Sequence, residues 1–300
     1  MLATVASGRH LATRMKTFLL ASLTVAITAS AADKIKVLIV DGQNNHKWAM
    51  TSPVLKQILE EPGIFTVEVS TSPEKGKGIE SWQPKFSDYA VVLSNYNGEP
   101  WSPATQAAFE KYVSGGGGFV PVHAANNSFP QWAAYNEMIG VGGWGGRNEK
   151  SGPYLRWRDG KWTFDTTPGP GGSHGKQHEF VLNNRAPQHP IMQGLPTAFM
   201  HRQDELYNRL RGPAKDVTIL ASAMSPVEMG GSGEEEPMLM AIPYGKGRVF
   251  HTALGHGDEA VHCVAFAVTL QRGTEWAATG KVTQKVPASF PDDKASMSRP

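Results

Sequence analysis

Ile35-Lys-Val-Leu-Ile-Val40 is an apolar run with the length of a buried β-strand, and it begins a repeated alternation of strand and helix patterns. A helix is predicted over residues 52–61, a second buried strand over 89–94, a second helix over 103–114 and a third buried strand over 119–122. Strands that alternate with helices in this way pair in parallel through right-handed crossovers. The sequence therefore predicts an α/β fold.

Composition limits the classes of protein that this chain can belong to. It has 300 residues, of which 40% are hydrophobic and 19% charged, so it can form a large core and is neither disordered nor a small disulfide scaffold. Cys263 is the only cysteine, which excludes an internal disulfide. The formal net charge of +2 comes from the N-terminus, since the chain after residue 31 has 26 basic and 27 acidic residues. We expect no nucleic-acid partner.

The N-terminus has the pattern of an export signal. Three basic residues (Arg9, Arg14 and Lys16) precede an apolar run at 18–27, and Ala29-Ser-Ala31 matches a small-residue cleavage site. The apolar run is too short for a membrane span. We predict a signal peptide at 1–31, one domain at 32–286 and a disordered tail at 287–300. The mature protein would be periplasmic or secreted, without a membrane partner; homo-oligomer formation is left open.

Three histidines follow predicted strands at the point where each strand ends. His46 comes shortly after the first strand, His123 directly follows the strand at 119–122, and His256 follows a strand over 248–254. Ligands of open parallel sheets bind at the carboxyl ends of the strands, so these side chains are expected to meet in one cleft. Imidazole transfers protons near neutral pH and also binds transition metals. The pattern leaves both uses open: catalysis by His46, His123 and His256, or a divalent metal such as zinc held by the same three.

A carboxylate would complete this cleft. Glu205 is predicted to be catalytic, because it lies in a polar stretch between apolar runs and histidines commonly need an acidic partner. The irregular segment at 140–175 is expected to cover the cleft, since long loops of this kind are often functional. Aromatic rings near the cleft would stack on sugars. The predicted substrate-binding residues are Trp48, Asn126, Trp132, His174, His178, Asp204 and Tyr207. His251, inside a strand, is expected to pack in the core.

Several ordered blocks resemble the ThuA-like (trehalose utilisation) family. They are Asn45-His46-x-Trp48, the glycine-rich run from Gly115 to Ala125, His189-Pro-Ile, Asp204-Glu-Leu-Tyr207, Gly245 to His256, and Gln271 to Ala278. The resemblance covers residues 35–286. It implies a flavodoxin-like three-layer sandwich with a mostly parallel central sheet, of the class I glutamine amidotransferase type.

The chain departs from the amidotransferases in one respect that decides its chemistry. Those relatives carry a nucleophilic cysteine at the turn that holds His123 here, and their catalytic histidine lies near the strand that carries His251 and His256. Without a cysteine at 123, thioester chemistry on glutamine is excluded. The family's association with disaccharide breakdown through 3-keto sugars implies a role on oxidised glycosides.

Three functions from different classes fit these features. The leading hypothesis is an exported enzyme that acts on a 3-keto-glycoside by proton abstraction and elimination or hydrolysis. The second is a non-catalytic carbohydrate-binding or accessory protein on a degenerate amidotransferase scaffold. The third is a metal-dependent hydrolase whose metal is bound by the histidines.

Overall fold

A computed structural model describes residues 1–8 and 33–299. The basic and apolar parts of the predicted signal peptide, and its cleavage site, lie outside the described residues. Residues 1–8 contain no helix or strand. In the described ranges, no helix has both the length and the apolar character needed to cross a bilayer.

Residues 34–299 contain strands and helices in the following order along the chain. The strands are β1 (Ile35–Asp41), β2 (Phe65–Thr71), β3 (Val91–Ser94), β4 (Gly118–Pro121), β5 (Tyr154–Arg158), β6 (Lys161–Asp165), β7 (Ser173–His174), β8 (His178–Asn184), β9 (Ala198–Asp204), β10 (Tyr207–Asn208), β11 (Thr218–Met224), β12 (Glu235–Tyr244) and β13 (Gly247–Thr252). The α-helices are α1 (Trp48–Glu60), α2 (Pro103–Ser114), α3 (Ala133–Ile139), α4 (Asp258–Val261) and α5 (Val264–Thr279).

One nine-stranded sheet organises the fold, in the order β2-β1-β3-β4-β13-β12-β11-β8-β9. The five strands from β2 to β13 are parallel, and the remaining neighbours pair antiparallel. The α/β class and the central sheet are confirmed, and parallel pairing covers half of the neighbour pairs. The antiparallel half begins at the tight turn between β12 and β13, which leaves no room for a crossover helix.

Helices cover both faces of the parallel strands, as consecutive residues of β4 show. An added Cβ at Gly118 would meet the backbone of Ala277 in α5 at 2.8 Å. The next residue, Phe119, packs edge-on against Phe109 of α2. Because successive strand residues face opposite ways, α5 and α2 lie on opposite faces. The sandwich therefore has three layers.

The C-terminal segment is ordered by contacts, contrary to the predicted disordered tail at 287–300. Phe290 packs on Phe199 with ring centroids 5.1 Å apart, and the Met200 N–H donates to the carbonyl of Asp292. Ser298 pairs with Cys263, which takes an extended conformation between α4 and α5. The prediction of a disordered tail is wrong, because apolar and backbone groups of this segment contact β9 and the chain between α4 and α5.

The segment at 140–175 is only partly a cover over the cleft. Its middle forms the β5–β6 hairpin around Asp159-Gly160, which a buried ion pair between Arg156 and Glu236 joins to β12. Its two ends, at Trp144 and His174, line the cavity described below. The predicted cover therefore consists of the ends of the segment.

Candidate active site

Four of the predicted residues meet at the carboxyl edge of the sheet. His46 follows β1, His123 follows β4, Glu205 follows β9 and His256 follows β13. The alternation of antiparallel pairs makes β9 run in the same direction as the parallel strands. All four strands therefore end at the same edge, and one ligand atom from each residue lies within 4.8 Å of the others. We call these residues the histidine–glutamate cluster.

Glu205 lies at the centre of the histidine–glutamate cluster. Its Oε2 is 2.9 Å from His256 Nδ1 and 3.6 Å from both His46 Nε2 and His123 Nε2. On the other side, Oε1 is 3.8 Å from His174 Nε2. His174 reaches this position because β7 pairs with β10, which opposes His174 to Tyr207.

Hydrogen bonds fix the orientation of two imidazole rings. His123 Nδ1 lies 2.9 Å from the Ala253 carbonyl oxygen, and His46 Nδ1 lies 3.2 Å from Asn44 Oδ1. Both partners are oxygens that can only accept, so each Nδ1 is assigned the proton. His123 also has a φ of +47°, in the left-handed region that a side chain rarely adopts. The turn after β4 thus holds the ring towards Glu205.

Asp204 positions two members of the cluster through their backbones. Its Oδ1 accepts from the N–H groups of Glu205 and His256, at 2.8 and 3.1 Å. Its Oδ2 accepts from the Gly255 N–H and from His201 Nε2, both at 2.8 Å. Burial lowers the pKa of His201, but Cys263 and Asp204 outweigh burial and raise it to about 10. One buried carboxylate therefore joins the ends of β9 and β13.

The charges of the cluster follow from burial and proximity. Burial raises the pKa of the Glu205 carboxyl, but the contacts with His123, His256 and His46 outweigh burial and hold that pKa well below its usual range. Burial lowers the pKa of His46; the contact with Glu205 opposes this, and the neighbouring His123 and His256 add to it, so the pKa is lowered overall. Burial also lowers the pKa of His256, but Glu205 outweighs it and gives a net rise. Glu205 is thus an anion at neutral pH.

A cavity borders the cluster, and a second cavity adjoins the first. The first, of about 420 Å³, is lined by His46, Glu205 and His174, by the rings of Trp144 and Tyr207, and by three amide side chains, of Asn45, Asn97 and Asn127. The second, of about 770 Å³, is lined by Trp48, Gln43, Asn44 and Glu99 among others. Asn45, Asn97 and Gly98 line both cavities. We call them the histidine cavity and the amide cavity.

The structure brings Tyr207 and His174 to the histidine cavity and Trp48 to the amide cavity, but it places four other predicted substrate-binding residues elsewhere. Trp132 packs among the aromatic rings of Trp101, Phe129 and Tyr135 and lines neither cavity, so the structure does not support its predicted stacking on sugar. Trp132 lies close to the predicted cleft residues in the sequence, but this proximity did not indicate whether its ring faces the cleft or packs against other aromatic rings.

Asn126, His178 and Asp204 are also outside both cavities. Asn126 is fully buried, and its Nδ2 is 3.1 Å from His251 Nε2. This contact confirms that His251 packs in the core. His178 Nδ1 instead bonds the Lys176 carbonyl oxygen, and Asp204 is buried behind the cluster. The structure does not support a substrate-binding role for these three residues, since none of them lines either cavity.

Sequence reasoning missed the asparagines that surround the histidine cavity. Asn45 directly precedes His46, so its adjacency was the available signal. Asn97 follows β3 and Asn127 ends the turn that begins at His123. Each therefore also lies beyond a strand end, where the rule used for the histidines would have found it.

The three-layer sandwich, with a side chain held on a strained turn after a central strand, defines a protein of the glutamine amidotransferase-like class. The sequence assigns it more closely. The chain belongs to the ThuA family, described as trehalose utilisation, whose model matches residues 36–277. The family relates the chain to carbohydrate metabolism.

Solved structures agree with this assignment. A protein described as ThuA-like from Parabacteroides merdae is 49% identical, with a TM-score of 0.87 over 89% of this chain and 98% of that one. A second ThuA-like protein, from Bacteroides uniformis, shares the fold at 19% identity, with a TM-score of 0.56 over 86% of this chain and 97% of that one. No curated protein matches the chain.

Proposed function

We propose that the protein is an exported enzyme that acts on a 3-keto-glycoside or a closely related oxidised sugar. The observation that carries this proposal is a group of histidines around an ionised glutamate, at a polar cavity, in a protein of the trehalose utilisation family. Export rests on the signal pattern at 1–31.

The lining of the two cavities suits a disaccharide. Asn45, Asn97 and Asn127 offer both donors and acceptors to sugar hydroxyl groups, and the Trp144 and Tyr207 rings offer apolar faces. Because the amide cavity continues from the histidine cavity through shared residues, one sugar ring would occupy each. The oxidised ring belongs in the histidine cavity, where the ionisable groups are.

His174 is the proton acceptor in this proposal. Its Nδ1 lies 2.8 Å from the Gly175 carbonyl oxygen and so bears the proton, which leaves the Nε2 lone pair free on the side of Glu205. The ring is partly exposed, so it can exchange a proton with solvent. Glu205 is the poorer base, because its pKa is held well below the usual range of a carboxyl.

The chemistry follows from the ketone at C3 of the sugar, which acidifies the proton on C2. His174 takes that proton, and the C2–H electron pair moves into the C2–C3 bond, which gives an enolate with its charge on the C3 oxygen. The C3 ketone then re-forms while a C1–C2 double bond forms and the bond from C1 to the glycosidic oxygen breaks. The departing oxygen takes a proton from solvent. The negative charge that develops on the C3 oxygen is stabilised by the histidines of the cluster.

Proton exchange at C2 tests the proposal directly. Purified protein is incubated with 3-keto-trehalose in D2O, and NMR follows the loss of the C2 proton and the release of free sugar. We expect both with the wild-type protein, a roughly hundredfold or greater loss in His174→Ala, and no change in the matched control His178→Ala.

Two results would contradict the proposal in different ways. If neither exchange nor sugar release occurs and calorimetry shows binding of unoxidised trehalose, the protein is a carbohydrate-binding accessory protein. If both occur equally fast in His174→Ala, the enzyme assignment stands and His174 is not the base.

A further inference from the structure

We propose that His46, His123, Glu205 and His256 bind one divalent transition-metal ion, with zinc as the first ion to test. The proposal goes beyond the proposed function, because the ion-binding site is defined by these side chains alone and does not depend on the substrate.

The spacing of the donor atoms fits a four-coordinate ion. Zinc bonds to imidazole nitrogen and carboxylate oxygen are about 2.0–2.2 Å long, so the donors of a tetrahedral site lie about 3.3 Å from one another. Glu205 Oε2 is 2.9 Å from the His256 nitrogen and 3.6 Å from each of the other two. With all donor atoms within 4.8 Å of each other, small side-chain rotations suffice to bind an ion.

The ring orientations favour a cation between the side chains. His46 and His123 each give the Nδ1 proton to an oxygen, so each presents an unprotonated Nε2 towards the same carboxylate oxygen. A lone pair facing a carboxylate is repulsive unless a proton or a metal ion lies between them. A metal ion supplies a positive charge there and binds both groups.

Two ring nitrogens that lack hydrogen-bond partners among the described residues lie at the proposed position of the ion. His123 is 97% buried, and its Nε2 has no hydrogen-bond partner in the part of the chain that the structure describes. Within the same part of the chain the His256 Nδ1 also lacks a hydrogen-bond partner, although Glu205 Oε2 is only 2.9 Å away. Buried polar atoms are rarely left unpaired, and an atom aimed at other donors in this way suggests a ligand.

Hydrogen bonds to neighbouring groups hold the donor side chains in fixed orientations, as is usual for metal ligands. Ligating histidines usually donate their other ring N–H to a carbonyl or carboxylate oxygen, as His46 and His123 do to Asn44 and Ala253. Asp204 fixes the backbones that carry the other two donors. The donor set of three imidazoles and one carboxylate suits zinc, iron or nickel better than magnesium or calcium.

An ion at this point would be accessible to substrate. His46 and Glu205 line the histidine cavity, so the ion would face the place assigned to the oxidised sugar ring. By expanding from four to five ligands it could bind the C3 oxygen and stabilise the charge that develops there. Glu205 is then a ligand, which agrees with the choice of His174 as the base.

Metal content is the measurement that tests the site, independent of turnover. Untagged protein is stripped with a chelator, loaded with Zn²⁺ or Co²⁺, desalted and analysed by mass spectrometry for metal. We expect about one ion per chain, and d–d absorption with Co²⁺. Glu205→Gln, which keeps the side-chain shape, and His123→Ala should each weaken Zn²⁺ binding by at least tenfold, and His178→Ala should bind like wild type.

Several outcomes would overturn the proposal. It is wrong if Zn²⁺, Co²⁺, Ni²⁺, Mn²⁺ and Fe²⁺ all fail to remain bound, or if Glu205→Gln retains the ion with unchanged affinity. If His123→Ala does not fold, as judged by circular dichroism, Glu205→Gln decides alone. Metal binding without turnover of 3-keto sugars would refute only the proposed function, and turnover by a protein that retains none of these ions would refute only the ion site.

Discussion

Replacing Asp204 by asparagine should destabilise the domain although the side chain keeps its shape. The carboxylate is fully buried and accepts four hydrogen bonds, two on each oxygen. If the amide oxygen of the substituted side chain takes the place of Oδ1, the Glu205 and His256 N–H groups keep their partner. The amide NH2 then points at the Gly255 N–H, and two donors face each other.

The cost can be estimated from these contacts. Leaving the Gly255 N–H buried without an acceptor costs about 1–3 kcal/mol, and the charge-assisted bond to His201 contributes about 1.5–3 kcal/mol. We therefore expect Asp204→Asn to lower the free energy of unfolding by about 3–5 kcal/mol. For a domain of this size, such a loss corresponds to a fall in Tm of about 10 °C.

Urea unfolding and calorimetry of wild type and Asp204→Asn measure this loss. Asp258→Asn is the matched control, because the side chain of Asp258 is 71% exposed and should change stability by less than about 0.5 kcal/mol. A fall below about 1 kcal/mol in Asp204→Asn would refute the reasoning, since it would mean that His201 and Gly255 find other partners.

Three further predictions concern other parts of the chain. Burial lowers the pKa of His251 to about 4, below the unfolded value of 6.5, so the free energy of unfolding should fall by up to about 3 kcal/mol as the pH drops from 6.5 to 4. Urea unfolding should show that the free energy of unfolding of His251→Gln depends less steeply on pH than that of the wild type. An equal dependence in both proteins would count against this reasoning. Phe290→Ala removes the packing on Phe199 and should lower the urea-derived free energy of unfolding by about 2 kcal/mol, whereas no change would mean that the tail is not held there. Expression in a bacterial host should yield periplasmic protein cleaved after Ala31, as N-terminal sequencing would show; uncleaved cytoplasmic protein would contradict the export signal.

The parallel half of the sheet and the cluster could be predicted from sequence because both follow from local patterns. β1, β3 and β4 are apolar runs between helical patterns, and the residues after parallel strands meet at one edge. Three of the cluster residues, His46, His123 and His256, follow from this rule alone.

The remaining features depend on tertiary contacts that have no local signal. β9 reads Ala-Phe-Met-His-Arg-Gln-Asp, with buried His201 and Asp204 at positions that a sequence pattern assigns to solvent. Their burial is possible because they bond to each other, and that pairing is visible only after folding. The same holds for Trp132, since a stacking ring and a core ring have the same sequence signal.

The left-handed backbone at His123 sets stability against function at a single residue. An ordinary side chain at a φ of +47° costs about 1–2 kcal/mol, which glycine would avoid. A sequence selected for stability alone would therefore drift to glycine there and lose the imidazole. The backbone strain at this residue therefore accompanies the presentation of an imidazole towards Glu205, and a glycine that relieved the strain would remove one member of the cluster.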